Sequence, residues 1–311
     1  MRRILITGIG GDVACAIIRC LKDSGNDDKI YGIDIKQYTP YMNLITETFT
    51  APRYTDGDYL PFVKNLLEKY EITHFLPTTE YEIMLFDKER DYFEKNGIKL
   101  IINNPQIIDV CMDKYKTAAF LKDAGVDTPE SFFAEEYKEG LNYPFILKAQ
   151  SGCGSKGLRV IHNETEWKEC GKSGMICQEL IGSDDTEYTV GVFSDGEKVN
   201  SITLKRQLGY GGLSSLVEVC DIPEITETAK KAAKAFNLKG SFNIQLREQG
   251  GRYYVFEINP RLSSTTGFRH RFGFKDALWW LDMEDGKVIP EFDNQSVGKV
   301  GIKVMDDIVL G

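Results

Sequence analysis

Histidine is scarce in this sequence, with three in 311 residues, and none stands at a zinc-type spacing from another histidine or a cysteine. The seven cysteines (Cys15, Cys20, Cys111, Cys153, Cys170, Cys177 and Cys220) form no C-x-x-C pair. Neither a dithiol redox motif nor a metal knuckle is present, and reduced thiols in a cytoplasmic setting are the expectation. Long runs of one charge are missing although the net charge is −9, which argues against nucleic-acid and anionic-membrane partners. Long apolar runs are missing too. The opening segment MRRILITGIGGD starts basic, but its apolar stretch breaks at Gly8, too short for a signal core or a membrane span. No secretion and no membrane insertion are expected, and no internal repeat or low-complexity stretch appears. What remains is 42% hydrophobic and 27% charged, an ordinary globular composition long enough for two or three structural units. Any anionic ligand must find a local basic pocket.

Up to residue 102 the chain alternates strand-like and helix-like segments: 2–8, 13–25, 30–35, 59–70, 73–79 and 98–102. Such alternation predicts a parallel sheet flanked by helices. A helical stretch over 107–125 ends at Gly125, with Pro129 just beyond. From Phe132 the chain changes to short strands separated by glycine-rich or polar turns, which predicts a mixed or antiparallel sheet. A helix over 225–238 precedes two strands, 242–248 and 253–259, that the turn QGGR joins as a hairpin.

Three elements suggest chemistry. Gly8, Gly10 and Gly11 sit between a strand and a helix, and Asp34 ends the next strand. That arrangement suits a tight turn or substrate binding better than a dinucleotide fingerprint, whose third small position is ambiguous here. The run FILKAQSGCGSKGLRV places Lys148 on a strand before Gly152, Gly154 and Gly157 in a loop. Glycines let backbone N–H groups close over phosphate oxygens while the lysine supplies charge, although a plain hairpin loop remains an alternative. Glu257, Asn259 and Arg261 alternate along the end of one strand, with Gln245 on its partner. An acid, two amide oxygens and a guanidinium at one sheet end suit a hard cation beside an anion, such as Mg²⁺ bridging phosphates. A solvated polar face is the alternative, which the flanking Phe256, Ile258 and Pro260 disfavour.

The order Lys114, Lys148 with its glycine loop, QELIG, EYTV and then Q…EINPR resembles the ATP-grasp superfamily, in particular its carbamoyl-phosphate-synthetase-like branch of carboxylate–amine ligases. The resemblance implies an N-terminal Rossmann-like domain over 1–106 and a two-lobed ATP-grasp fold, α/β followed by α+β. The small lobe with its lid would occupy 107–181 and the large lobe with the metal site 182–311. It further implies that Lys114 and Lys148 contact the ATP phosphates under a lid running from Ser151 to Gly157. Gln178, Glu179, Leu180 and Ile181 would form the adenine hinge, and Asp185 would take the ribose. Gln245, Glu257 and Asn259 would hold Mg²⁺, with Mn²⁺ as a substitute, and Arg261 would lie beside the transferred phosphate. The carbamoyl-phosphate enzymes favour arginine at the two lysine positions, and Gln178 stands where they carry an acid.

Lys205 and Arg206 could hold a substrate carboxylate, or could equally be a solvent-facing basic pair. Arg269, His270 and Arg271 admit the same two readings, and small size suffices to explain Cys153 in the lid. The function expected is an ADP-forming ligase that phosphorylates a small carboxylate and passes the acyl group to an amine or a thiol, catalysed through Lys148, Arg206 and Arg261. A carbamoyl-phosphate-type phosphorylation or carboxylation is the nearest rival; an NAD-binding oxidoreductase and a silent nucleotide-binding regulator are others. The partners expected are the small substrates, with a homodimer as an open alternative.

Overall fold

A computed structural model describes residues 1–152, 157–304 and 307–309. Cys153 and Gly154, both assigned to the lid, lie outside the described residues.

The first hundred residues alternate as their pattern requires. Strands β1 (Arg3–Thr7), β2 (Lys29–Asp34), β3 (Glu47–Thr50), β4 (His74–Leu76) and β5 (Lys99–Leu100) form a parallel sheet in the order β3-β2-β1-β4-β5. Helices α1 (Asp12–Asp23), α2 (Tyr59–Lys69), α3 (Glu80–Asp87) and α4 (Arg90–Lys95) cover its faces. The strand order reverses between β1 and β4, so the loops 8–11 and 77–79 border the crevice where sheets of this kind take ligands.

The helical pattern over 107–125 divides into α5 (Pro105–Cys111) and α6 (Lys114–Asp123). Asp113 leaves the helical region, and its Oδ1 accepts from the N–H groups of Tyr115 and Lys116 at 2.9 and 3.0 Å, capping the second helix. Ile107, Cys111 and Leu121, from the span expected to begin the small lobe, are buried in the core of the large sheet.

Strands β6 (Ser131–Phe133), β7 (Phe145–Ala149), β8 (Arg159–Ile161) and β9 (Met175–Glu179) make an antiparallel sheet in the order β6-β9-β7-β8, with α7 (Glu164–Glu169) beside it. It has its own core of Phe145, Leu147, Ile161, Trp167 and Cys177.

The largest sheet is antiparallel as well, in the order β14-β13-β10-β11-β12-β15. Its strands are β10 (Glu187–Ser194), β11 (Val199–Leu208), β12 (Ser214–Cys220), β13 (Gly240–Gln249), β14 (Arg252–Asn259) and β15 (Val300–Ile302), accompanied by α8 (Pro223–Ala235), α9 (Thr266–Arg271) and α10 (Asp276–Glu284). The turn between β13 and β14 runs through Gly250 and Gly251 at φ 62° and 78°, which only glycine adopts freely. Val190, Val192, Phe242 and Ile244 pack one face onto α8. On the other face, Phe193, Ile202 and Leu204 share one continuous core with Ile17 of α1 and Trp279 of α10. The N-terminal domain and the large sheet are thereby joined through a common interior.

Candidate active site

Lys148 lies on β7, whose burial pattern turns its side chain inward, and only 7% of it is exposed. Its ammonium donates to Gln178 Oε1 at 2.8 Å and to the Phe256 carbonyl at 3.4 Å, while Gln178 Nε2 donates to Ser131 Oγ at 2.8 Å. Burial pulls this ammonium down to about 8; Glu257 opposes the shift, and Lys114 and Arg247 add to it. Lys114 opens α6. Its N–H donates to the Gln150 carbonyl at 2.9 Å, and Gln150 Nε2 donates to Asp113 Oδ2 at 2.6 Å, so the helix start is tied to the end of β7. The Lys114 ammonium donates to the Gly152 carbonyl at 2.6 Å and lies 3.7 Å from Glu257 Oε1. Two cations from the smaller sheet and its preceding helix thus reach adjacent residues of β14, Lys114 the Glu257 carboxylate and Lys148 the Phe256 carbonyl.

Gln245 pairs with Glu257, and Asn243 with Asn259, across β13 and β14, so these four side chains share one face. A bulge follows Gln245. Arg206, facing the same way on β11, donates to Gln245 Oε1 at 3.1 Å. Its guanidinium also donates to Glu187 Oε1 at 2.8 and 2.5 Å, and Arg247 Nε donates to the other oxygen at 2.8 Å. Glu187 is therefore a buried acid shared by two arginines, and Arg206 holds the amide of Gln245 in one orientation. Lys205, one residue before, points to the opposite, exposed face, so the pair is split between solvent and interior.

Arg261 is tied to the N-terminal domain: it donates to Glu80 Oε1 at 3.0 Å and to the Leu262 carbonyl at 3.1 Å. In the segment 178–181, expected to be the adenine hinge, the Gln178 side chain is turned inward toward Lys148, the Glu179 N–H donates to the Glu130 carbonyl at 2.9 Å, and Leu180 leads to the buried Ile181. Asp185 is exposed, and Arg247, besides its bond to Glu187, donates to the neighbouring Asp184 at 2.5 Å. Ser151 pairs with Asp113 in an isolated bridge, and Gly152 and Gly157, within the segment expected to be the lid, take positive φ.

The glycines at residues 8–11 use their own polar groups. Gly11 N–H donates to the Gly8 carbonyl at 2.8 Å, and Gly10 N–H donates to Asp34 Oδ2 at 2.8 Å, so Asp34 serves the turn. The donors at the strand-14 end are one carboxylate and two amide oxygens, and no group of three or more His, Cys, Asp or Glu side chains fit to hold a metal occurs among the described residues. Such a set fits a hard divalent ion when phosphate oxygens complete its shell.

Glu187, Glu80, Asp113 and Ser131 were not singled out in the sequence, because their partners are assigned by strand register and by folding distant segments together. The run Arg269–Arg271 needs correction. Arg269 fits neither expectation, since it is fully buried on α9 with its guanidinium bonded to Asp276 and to neighbouring polar groups, whereas His270 is half-buried and Arg271 is exposed, 3.6 Å from Asp23.

Comparison with known proteins adds to this geometry. A model of the ATP-grasp domain family matches residues 111–265, and one of the PylC-like N-terminal domain matches residues 4–101. The C-terminal section of the carbamoyl phosphate synthase large chain from Aquifex aeolicus is 25% identical over 198 residues, which are 56% of this chain and 37% of that one. The chain thus spans well under half the length of this relative. Among solved structures, the biotin carboxylase domain dimer of Hydrogenobacter thermophilus 2-oxoglutarate carboxylase, in complex with ADP, its magnesium salt and bicarbonate, superposes with a TM-score of 0.74 at 18% identity, over 95% of this chain and 72% of that one. The L-amino acid ligase of Bacillus licheniformis gives 0.72 at 15% identity, over 96% and 78%. At these identities the structural likeness is one of fold.

Proposed function

We propose, from the premise that this chain belongs to the ATP-grasp superfamily, that it is an ADP-forming ligase acting on a small carboxylate and an amine through an acyl phosphate. The observation that carries the reading is the approach of Lys114 to Glu257 and of Lys148 to the Phe256 carbonyl, on the strand pair that also presents Gln245 and Asn259. In this reading residues 1–106, 107–181 and 182–311 act as N-terminal domain, small lobe and large lobe. ATP lies between the lobes under the segment 151–157, with its adenine at 178–181 and its ribose near Asp185. Glu257, Asn259 and Gln245 would hold Mg²⁺, or Mn²⁺ in its place, supplying charge neutralisation at the β- and γ-phosphates.

This chain's own residues then do the following. Lys148 and Lys114 hold phosphate oxygens, and Arg261 faces the γ-phosphoryl as a carboxylate oxygen attacks it and its bond to the ADP oxygen breaks. The resulting acyl phosphate is attacked at its carbonyl by the amine, which loses a proton as phosphate leaves. No protein nucleophile is needed. Arg206 orients Gln245 in this scheme, through the contact already described.

A thiol acceptor would follow the same course. A second reading takes bicarbonate as the acid, as the carbamoyl phosphate synthase relative and the bicarbonate-containing structure suggest. Both are tested by assaying ADP release with acids and amines supplied singly and in pairs. The ligase reading expects ADP and amide in equal amounts only when both substrates are present. ADP release driven by bicarbonate alone would favour the second reading, and ADP release indifferent to any acid would contradict both.

A further inference from the structure

Among the described residues Arg269 is the largest fully buried side chain, and it lies on the sheet face that carries the proposed metal residues. The guanidinium covers Gly191: a Cβ at that position would meet Arg269 Cδ, with Nε at 2.7 Å and Cζ at 3.0 Å, so β10 accepts it only as glycine. Gly191 stands opposite Asn243, and Asn243 stands opposite Asn259. Arg269 donates from Nη1 to Asn243 Oδ1 at 2.9 Å, to Ser263 Oγ at 3.0 Å and to Thr265 Oγ1 at 3.2 Å. From Nη2 it donates to Thr266 Oγ1 at 2.8 Å and to Asp276 Oδ2 at 2.6 Å. Ser263 Oγ itself donates to Asn243 Oδ1 at 3.0 Å. The loop leaving Asn259 and Arg261 is thereby pinned to the neighbouring strand. From the other side, Asn103 Nδ2 donates to the Pro260 carbonyl at 2.9 Å and to the Ser241 carbonyl at 2.7 Å.

A fully buried arginine–carboxylate pair is a poor source of stability, since an apolar replacement often does as well or better. This one has a geometry that a hydrophobic side chain could not supply: one planar fork fastens a strand residue, the hydroxyls of the loop and the first turn of α9 together.

We propose that Arg269 is a positioning residue for the reaction: acting through Asn243 and Ser263, it fixes Asn259 and Arg261 in the orientation that metal-bound nucleotide requires. The proposal rests on the metal-site reading above. Residues that orient ligands without touching the metal can carry a large share of metal-dependent affinity.

The test uses the full chain and the non-hydrolysable analogue β,γ-imido-ATP, its affinity measured by calorimetry with and without Mg²⁺. Arg269→Lys keeps a charge for Asp276 but loses the fork. Ser263→Ala removes one hydroxyl and leaves the ion pair whole, so it keeps the test decisive if the first variant does not fold. Both are expected to lose about 10-fold of the gain in affinity that Mg²⁺ confers, with the metal-free affinity unchanged. A merely structural role would lower the melting temperature without moving that ratio. Glu257→Gln distinguishes the two levels of the argument. If it abolishes the Mg²⁺ gain while Arg269→Lys and Ser263→Ala retain it in full, the positioning role is overturned and the metal site stands. If Glu257→Gln itself retains the gain, the metal-site reading fails and this proposal with it.

Discussion

At Lys148 one ammonium has a single amide oxygen and a single carbonyl as partners in an interior that has drawn its pKa down from 10.5 to about 8. Nucleotide phosphates favour the charged form, so ATP affinity is expected to fall as the pH rises through about 8, and Lys148→Arg is expected to remove that fall. The linkage to stability has the opposite direction. The folded pKa lies below the unfolded one, so between about 8 and 10.5 the unfolded chain binds more protons, and the contribution of this group to the stability of the ligand-free protein rises with pH there. Nucleotide titrations across that range check the first point, and an affinity that is flat in the wild type contradicts it. Glu257→Gln keeps volume and removes charge; turnover is expected to drop by about 2–4 kcal/mol of transition-state stabilisation with the fold intact. A folded Glu257→Gln protein with near-full ATP-dependent activity would remove the metal site. That Lys148 and the 245–259 cluster could carry chemistry was readable from their spacing, and Lys114 came only with the family resemblance; the structure places Lys114 beside Glu257 and pairs Gln245 with Glu257. Glu187 was not legible, since an acid at a strand start looks like any solvated residue until register places it between Arg206 and Arg247. Arg269 was misread for a similar reason: basic residues in a row suggest a surface, and nothing local reveals that Asp276 waits seven residues on.

Strands and helices were the more readable level, because period-two and period-3.6 patterns act locally. The interruption between α5 and α6 was missed although Asp113 is an ordinary capping residue, because the apolar pattern runs on through it. That cap does more than end a helix: it carries Gln150 on its second oxygen and so joins Lys114 to the end of β7. Asp113→Ala is expected to lower stability by about 1 kcal/mol, the usual consequence of losing such a cap, and to weaken ATP binding as well, because the first turn of α6 holds Lys114. Urea unfolding and nucleotide titration on the same variant separate the two effects. Loss of stability with unchanged affinity would mean that Lys114 does not need its tether. Helices α9 and α10 escaped the sequence reading altogether, because Arg269 of one and Asp276 of the other face inward and bond to each other, against the amphipathic rule that makes most helices visible.

For the molecule as a whole, the N-terminal sheet and the large sheet share an interior, while the small sheet has a core of its own. A ligand lying between the small and large sheets and bound only by the folded protein should raise the melting temperature by mass action. ATP with Mg²⁺ is expected to do so while NAD and NADP do not, since Asp34 already accepts from the Gly10 N–H and the Gly11 N–H already donates to the Gly8 carbonyl; equal stabilisation by NAD would overturn this assignment of the N-terminal turn. The central claim is phosphorylation of a carboxylate by the γ-phosphoryl group, and oxygen-18 follows it directly. With the carboxylate that supports turnover labelled in both oxygens and its amine partner present, the account expects ADP, with one labelled oxygen in each released phosphate, by mass spectrometry. Label in AMP, accompanied by pyrophosphate, would show that the acid is adenylated and would contradict the account.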